Sequence, residues 1–153
     1  MPVVTARSDL INDQWLQEAA PDPEQAQGRR FAAQGTVVNA ATDSQGSKYL
    51  LARIPSDCIL SDRTSFWVSN WGYADIRIGT KTDPVALVSA TKVAAAVQMP
   101  IVGGAPAQHC KRLWQNLGLA ADPGGLIEIY AHGSVANAVA AGTMLFAIHY
   151  WHR

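Results

Sequence analysis

The sequence predicts an all-β fold: a single antiparallel β-sandwich, jelly-roll-like, preceded by an extended N-terminal arm. Three observations lead to this prediction. Six to eight short strand-like segments follow one another with turn residues between them, which is typical of sandwiches rather than of alternating strand–helix folds. Residues 74–79 alternate apolar and polar side chains, the pattern of a half-buried strand. Pro21 and Pro23 prevent a helix from continuing into the strand-rich part.

The strands are predicted from β-branched runs, alternation and flanking turns. Residues 31–38 include Thr36, Val37 and Val38, which favour extended backbone. Turn residues at 43–46 separate this segment from the next. The predicted strands are, in chain order, residues 31–38, 47–54, 58–60, 65–68, 74–79, 126–130 and 142–151. Ile76, Ile78, Ile127, Ile129, Phe146 and Ile148 are expected in the core between two sheets.

The region between residues 83 and 125 has a weaker pattern. Residues 84–97 are rich in Ala and Val and are compatible with a helical turn, although the valines disfavour a long helix. Residues 111–118 predict one short helix that ends at Gly118. Residues 122–125, Asp-Pro-Gly-Gly, predict a turn directly before a strand.

Two regions differ in charge. Residues 1–27, the predicted arm, contain one arginine and five acidic residues, a net charge of −4, which leaves +4 for the sandwich domain at 28–153. Apolar side chains also lie in the arm, and a purely solvating tail has no use for them. We expect Leu10, Ile11, Trp15 and Leu16 to contact a neighbouring subunit, with Trp15 as the main anchor. A disordered tail is the alternative.

The composition excludes several functional classes. Charged residues make up only 16% of the chain, against about a quarter in an ordinary domain, which suggests that a partner covers part of the surface. The formal net charge is zero and the longest basic run is Arg29 and Arg30, so nucleic acid is not expected as a partner. No apolar run approaches the roughly 18 residues that span a membrane. No signal peptide is seen either, so Cys58 and Cys110 are expected to be free thiols in a cytoplasm.

No catalytic, cofactor-binding or metal-binding residues are predicted. His149 and His152 are three residues apart on a predicted strand, so their side chains point to opposite faces. His109 adjoins Cys110, but no second ligand pair has metal-site spacing. The negative charge of Asp57 disfavours a thiolate at Cys58, which is expected to be a small buried side chain.

One aromatic turn stands out among the five tryptophans. It contains Trp67, Asn70, Trp71 and Tyr73, residue types that form platforms for sugar rings or protein interfaces. Ordinary packing is the competing explanation. A sugar platform requires Trp67 and Trp71 to be exposed and coplanar.

Several segments together carry a resemblance to a known family. They are GRRF at 28–31, YLLARIPS at 49–56, ADIRIG at 74–79, LWQNLGL at 113–119, DPGG at 122–125 and Gly142 with Thr143. In this order, over residues 28–151, the chain resembles bacteriophage capsid decoration (cement) proteins, small minor virion structural proteins encoded beside major capsid genes. The Trp content and the His149-to-Arg153 ending depart from that pattern.

The resemblance implies a non-enzymatic virion protein that is assembled in the host cytoplasm and stabilises the capsid from its outer surface. It implies the major capsid protein as partner and self-association on the capsid lattice. Neither a cofactor nor a membrane is implied. The alternatives are a different virion position, such as a head–tail adaptor or tail component, a carbohydrate-binding module, and an enzyme, which would need a polar pocket.

Overall fold

The computed structural model describes residues 29–103, 105, 107–108, 110–133 and 136–152. The predicted arm, including Leu10, Ile11, Trp15 and Leu16, lies outside the described residues. The described part forms nine strands and one short helix. They are β1 Arg29–Asn39, β2 Lys48–Pro55, β3 Ile59–Leu60, β4 Ser65–Trp67, β5 Asp75–Gly79, β6 Val88–Thr91, β7 Val97–Gln98, α1 Leu113–Asn116, β8 Leu126–His132 and β9 Gly142–His152.

The strands form two antiparallel sheets. Sheet A has the order β1-β9-β4-β7, with β3 also paired to β9, and sheet B has the order β2-β8-β5-β6. The pairs are nested, since β1 joins β9, β2 joins β8, β4 joins β7 and β5 joins β6. A chain arranged as one long hairpin has this nested pairing. When the hairpin folds, its successive strand pairs alternate between the two sheets. This is jelly-roll architecture, so the predicted all-β sandwich is confirmed.

The core lies between the two sheets and is built by alternation. The six predicted core residues are all buried: Ile76, Ile78, Ile127, Ile129, Phe146 and Ile148. Cys58 is also fully buried, as expected, and neither Cys58 nor Cys110 forms a disulfide. Because inward side chains alternate with outward ones along each strand, burial of one set leaves the outer faces of both sheets available for other roles.

The helical turn considered for residues 84–97 is wrong. Two short strands occupy this region instead, β6 and β7. β6 pairs with β5 from Asp75 opposite Thr91 to Ile78 opposite Val88. The backbone of β6 pairs with β5, and that of β7 pairs with β4. The valines of this alanine- and valine-rich segment are β-branched and favour extended backbone.

The other two local predictions for this region hold. Helix α1 is followed by Gly118 at φ 72°, a left-handed conformation that ends the helix as expected. Gly124 and Gly125 also have positive φ, and β8 starts directly after them. The Asp122 carboxylate fixes this turn by accepting hydrogen bonds from the Gly124 N–H at 2.8 Å and the Ser56 hydroxyl at 2.6 Å. Within the described ranges, no helix has the length and apolar character needed to cross a membrane.

Candidate functional site

The outer face of sheet A carries a continuous row of side chains across four strands. Leu145 of β9 points outward because its neighbours Met144 and Phe146 point into the core. Leu145 lies opposite Thr36 on β1 and opposite Trp67 on β4, and Trp67 lies opposite Val97 on β7. Directly paired residues of antiparallel strands share a face and stand about 5 Å apart, so these side chains are neighbours.

Most of this row is apolar and exposed. Trp67 is 41% exposed, Leu145 50% and Val97 36%. Val38 is two residues from Thr36, so it lies on the same face, diagonal to Leu145, and is 64% exposed. We call Val38, Trp67, Val97 and Leu145 the apolar patch of sheet A. Single exposed apolar residues are common on protein surfaces, but adjacent ones on one sheet face are typical of a binding surface.

The apolar patch is suited to binding rather than to chemical reaction. None of its four side chains titrates or acts as a nucleophile. Removing apolar surface from water stabilises a complex by about 25 cal/mol for each Å² buried. Tryptophan is among the residues that dominate interface energetics, which makes Trp67 the expected anchor of any contact made here.

The aromatic turn that the sequence singled out is divided by the fold. Trp67 and Asn70 are exposed, whereas Trp71 is 1% exposed and Tyr73 is completely buried. A platform of these four side chains is therefore not formed, and the exposed, coplanar Trp67 and Trp71 that the sugar-binding alternative requires are not present. Of the four candidates, Trp67 belongs to the apolar patch of sheet A, and Asn70 lies in the neighbouring loop.

Trp71 and Tyr73 are buried because they belong to an aromatic cluster with Tyr49. The rings of Tyr49 and Trp71 meet edge to face at 5.3 Å, and those of Trp71 and Tyr73 lie 5.6 Å apart. The Tyr49 hydroxyl donates to the Asp43 carboxylate at 2.6 Å and lies 3.0 Å from the Tyr73 hydroxyl. Burial, reinforced by the bond to Asp43, raises the pKa of Tyr49. Tyr49 therefore stays a neutral donor, and the cluster is structural.

Close backbone contacts hold the same loop in place. The Gly72 N–H donates to the Asn39 side-chain oxygen at 3.0 Å, and the Asn39 amide group donates to the Ala140 carbonyl at 2.9 Å. A Cβ on Gly72 would approach the Ala140 oxygen to 2.1 Å, so only glycine fits here. The sequence signal for this burial is a glycine between two aromatic residues, which indicates close backbone packing better than it indicates a platform.

The histidines are dispersed among separate contacts. His132 bonds to the Thr80 carbonyl, and His152 lies 3.0 Å from an Asp57 carboxylate oxygen. His149 has a buried Nδ1 without a hydrogen-bond partner in the described structure. His109 lies outside the described residues. In the part of the chain that the structure describes, no group of three or more His, Cys, Asp or Glu residues is placed to hold a metal ion.

Comparison with known proteins gives no match: no family model, curated protein or solved structure is significantly similar to this chain. The surface chemistry of the described residues, together with the sequence, is therefore the basis for inferring function.

Proposed function

We propose that this protein is a non-enzymatic structural component of a bacteriophage virion, a decoration protein that binds the outer surface of the capsid shell. The major capsid protein would be its partner. The observation that supports this proposal most directly is the apolar patch of sheet A, a contiguous exposed surface of Val38, Trp67, Val97 and Leu145. The segmental resemblance over residues 28–151 supports the phage assignment.

The patch favours a binding mechanism based on many weak contacts. Four side chains on one sheet bury too little area for tight binding by one copy, since stable protein interfaces bury about 800 Å² on each partner. Copies arranged on a regular lattice bind together, so modest individual contacts add to strong overall attachment. A shell that presents the same site many times is a partner of this kind.

Self-association on the lattice is part of the proposal. β1 is an eleven-residue strand at one edge of sheet A, and β7 is a two-residue strand at the other. Among the described residues, the free side of β1 pairs with no further strand. A long edge strand can pair with a second chain through its backbone groups.

The test is capsid binding by two leucine variants that differ in the face they alter. Leu145→Lys places a charge in the patch on sheet A. Leu50→Lys places the same charge on sheet B, where Leu50 is 44% exposed and lies opposite Tyr130. Shells assembled from the same phage's major capsid protein, free of decoration protein, are incubated with each variant and sedimented. Quantitative mass spectrometry then counts the bound copies.

We expect hundreds of copies of the wild type and of Leu50→Lys per shell. For Leu145→Lys we expect at least tenfold weaker binding. Equal binding by both variants would move the contact away from the patch. Absence of wild-type binding would refute the decoration role, and a few copies per particle would indicate a head–tail or tail position instead.

A further inference from the structure

The outer face of sheet B carries three basic residues in one row. Lys48 of β2 lies opposite His132 of β8, and His132 lies opposite Arg77 of β5. Arg77 points outward because Ile76 and Ile78 on either side are buried in the core. Because paired residues on adjacent antiparallel strands share a face, all three basic side chains lie on the same side of the sheet.

The turn after β5 converts this row into a pocket. His132 Nε2 donates to the Thr80 carbonyl at 2.8 Å, and the Lys48 ammonium donates to the Lys81 carbonyl at 3.0 Å. Gly79 permits the close approach, since a Cβ there would lie 2.1 Å from the Asp83 oxygen. The resulting cavity has a volume of about 440 Å³. Its lining includes Gln45, Lys48, Arg77, Lys81, Thr82 and His132.

The pocket concentrates positive charge without a matching negative one. No carboxylate lines it, and among the residues described no carboxylate forms an ion pair with Lys48, Arg77 or Lys81. Two acidic groups outside the lining interact with the pocket electrostatically. Asp83 raises the pKa of His132, and the charge of Lys81 lowers the pKa of Glu128. Lys48, Arg77 and Lys81 therefore give the pocket an excess of positive charge, which a bound anion would offset.

His132 adapts to this environment by staying neutral. Burial lowers its pKa, and the charges of Lys48 and Arg77 lower it further, against the opposing effects of the Thr80 hydrogen bond and Asp83. The Thr80 carbonyl only accepts, so Nε2 carries the hydrogen and Nδ1 is left without one. His132 therefore lines the pocket as an uncharged side chain held in place by the Thr80 hydrogen bond. The positive charge comes from Arg77, Lys48 and Lys81.

We infer that this pocket binds an oxyanion, a phosphate or carboxylate group. Arg77 provides a planar guanidinium that matches two oxygens at once, and Lys48 and Lys81 provide ammonium groups on flexible stems. The pocket is open to solvent, and its volume leaves room for the oxyanion to be carried on a larger molecule. Two sources fit: a small phosphorylated solute, or the carboxylates of residues 1–27, whose net charge is −4. The inference does not depend on the decoration role.

The test is titration of the full-length protein with inorganic phosphate, followed by NMR of the Thr82 and Gly133 amides and the His132 ring. We expect saturable shifts at these positions. Arg77→Gln and Lys81→Gln should each weaken binding at least tenfold. Arg63→Gln is the matched control, because Arg63 is exposed and lies outside the pocket lining, and it should bind as the wild type does. Absence of saturable shifts, or equal affinity in all variants, would overturn the inference.

A second arm of the experiment identifies the source of the oxyanion. The five acidic residues of the first 27, Asp9, Asp13, Glu18, Asp22 and Glu24, are replaced by the corresponding amides. Tighter phosphate binding by this variant would show that the acidic segment competes for the pocket. Unchanged phosphate binding would support a free solute as the ligand. Because no capsid is present, failure here and failure of the decoration role are separate results.

Discussion

The two outer faces of this sandwich differ sharply, although the sheets share one core. On sheet A, the exposed row across β9, β4 and β7 is apolar, with Leu145, Trp67 and Val97. On the outer face of sheet B, β2 places charged side chains on either side of the exposed Leu50, and Arg53 pairs with Glu128 on β8 at 2.9 Å. The core fixes which side chains point inward, but it places no such demand on the outer faces. Their different chemistry therefore points to their use.

Sheet B satisfies many of its own polar groups. The Tyr130 hydroxyl donates to Glu128 at 2.7 Å, and this bond lowers the pKa of the Glu128 carboxyl and raises that of Tyr130. Arg53 holds the other carboxylate oxygen of Glu128 at 3.0 Å through Nε. The apolar patch of sheet A has no comparable polar network, because the indole N–H of Trp67 is the one hydrogen-bonding group among its four side chains. Sheet A is thus the face on which we propose that a macromolecular partner binds.

The largest change in the free energy of unfolding is expected at Trp71, which is buried, whereas Trp67, four residues earlier, is partly exposed. Trp71→Ala should cost about 3–5 kcal/mol of unfolding free energy, because it empties the aromatic cluster with Tyr49 and Tyr73. Trp67→Ala, on the outer face of sheet A, should cost clearly less, about 1 kcal/mol, because Trp67 is already 41% exposed in the folded protein. Urea denaturation followed by circular dichroism measures both. Equal destabilisation would mean that Trp67 is part of the core and not of a binding face.

The next effect tests whether the two sheets share one core. Ile129→Ala on sheet B and Met144→Ala on sheet A remove fully buried side chains, and each should cost about 2–5 kcal/mol. Both variants should unfold in a single transition, since the side chains from the two inner faces pack together. Calorimetry would reveal two transitions if the sheets were independent. Wild-type-like melting of Ile129→Ala would contradict the burial of β8.

A smaller loss of thermal stability is expected on acidification, and it arises from His132 on sheet B. The pKa of His132 is lowered from 6.5, mainly by burial, so between the folded and unfolded pKa values the unfolded state binds more protons. The stabilisation is complete above about pH 6.5 and is lost as pH falls through the folded pKa. The Tm of the wild type should therefore fall more between pH 7.5 and 5 than that of His132→Gln. Identical slopes would show that His132 titrates normally.

The smallest effect is expected for the exposed pair on sheet B. Arg53 and Glu128 have side chains that are 62% and 36% exposed, and exposed ion pairs gain little because water screens them. Glu128→Gln should leave the Tm close to that of the wild type, and addition of salt should narrow any difference. A large loss in this variant would indicate that the Tyr130 bond, rather than the ion pair, holds this part of the face.

Local patterns predicted much of the fold. The alternation around Ile76 and Ile78 predicted a half-buried strand, and the Asp-Pro-Gly-Gly turn marked the start of β8. Gly118 ended the short helix as expected because it is in the left-handed region. β6 and β7 were missed because they lie in an alanine- and valine-rich segment that lacks a clear alternation of apolar and polar residues. The role of residues 1–27 stays a prediction.

The binding faces depended on information that no short window of sequence contains. Trp67 and Trp71 are the same residue type four positions apart, and Trp71 is buried because the fold packs its ring against those of Tyr49 and Tyr73. Likewise, Lys48, Arg77 and His132 are far apart in sequence and meet through strand register. The sequence by itself determined the all-β class, most strands and the core, because periodicity is a local property. The tertiary structure alone decided which outward side chains become neighbours, because cross-strand register joins residues from distant parts of the chain.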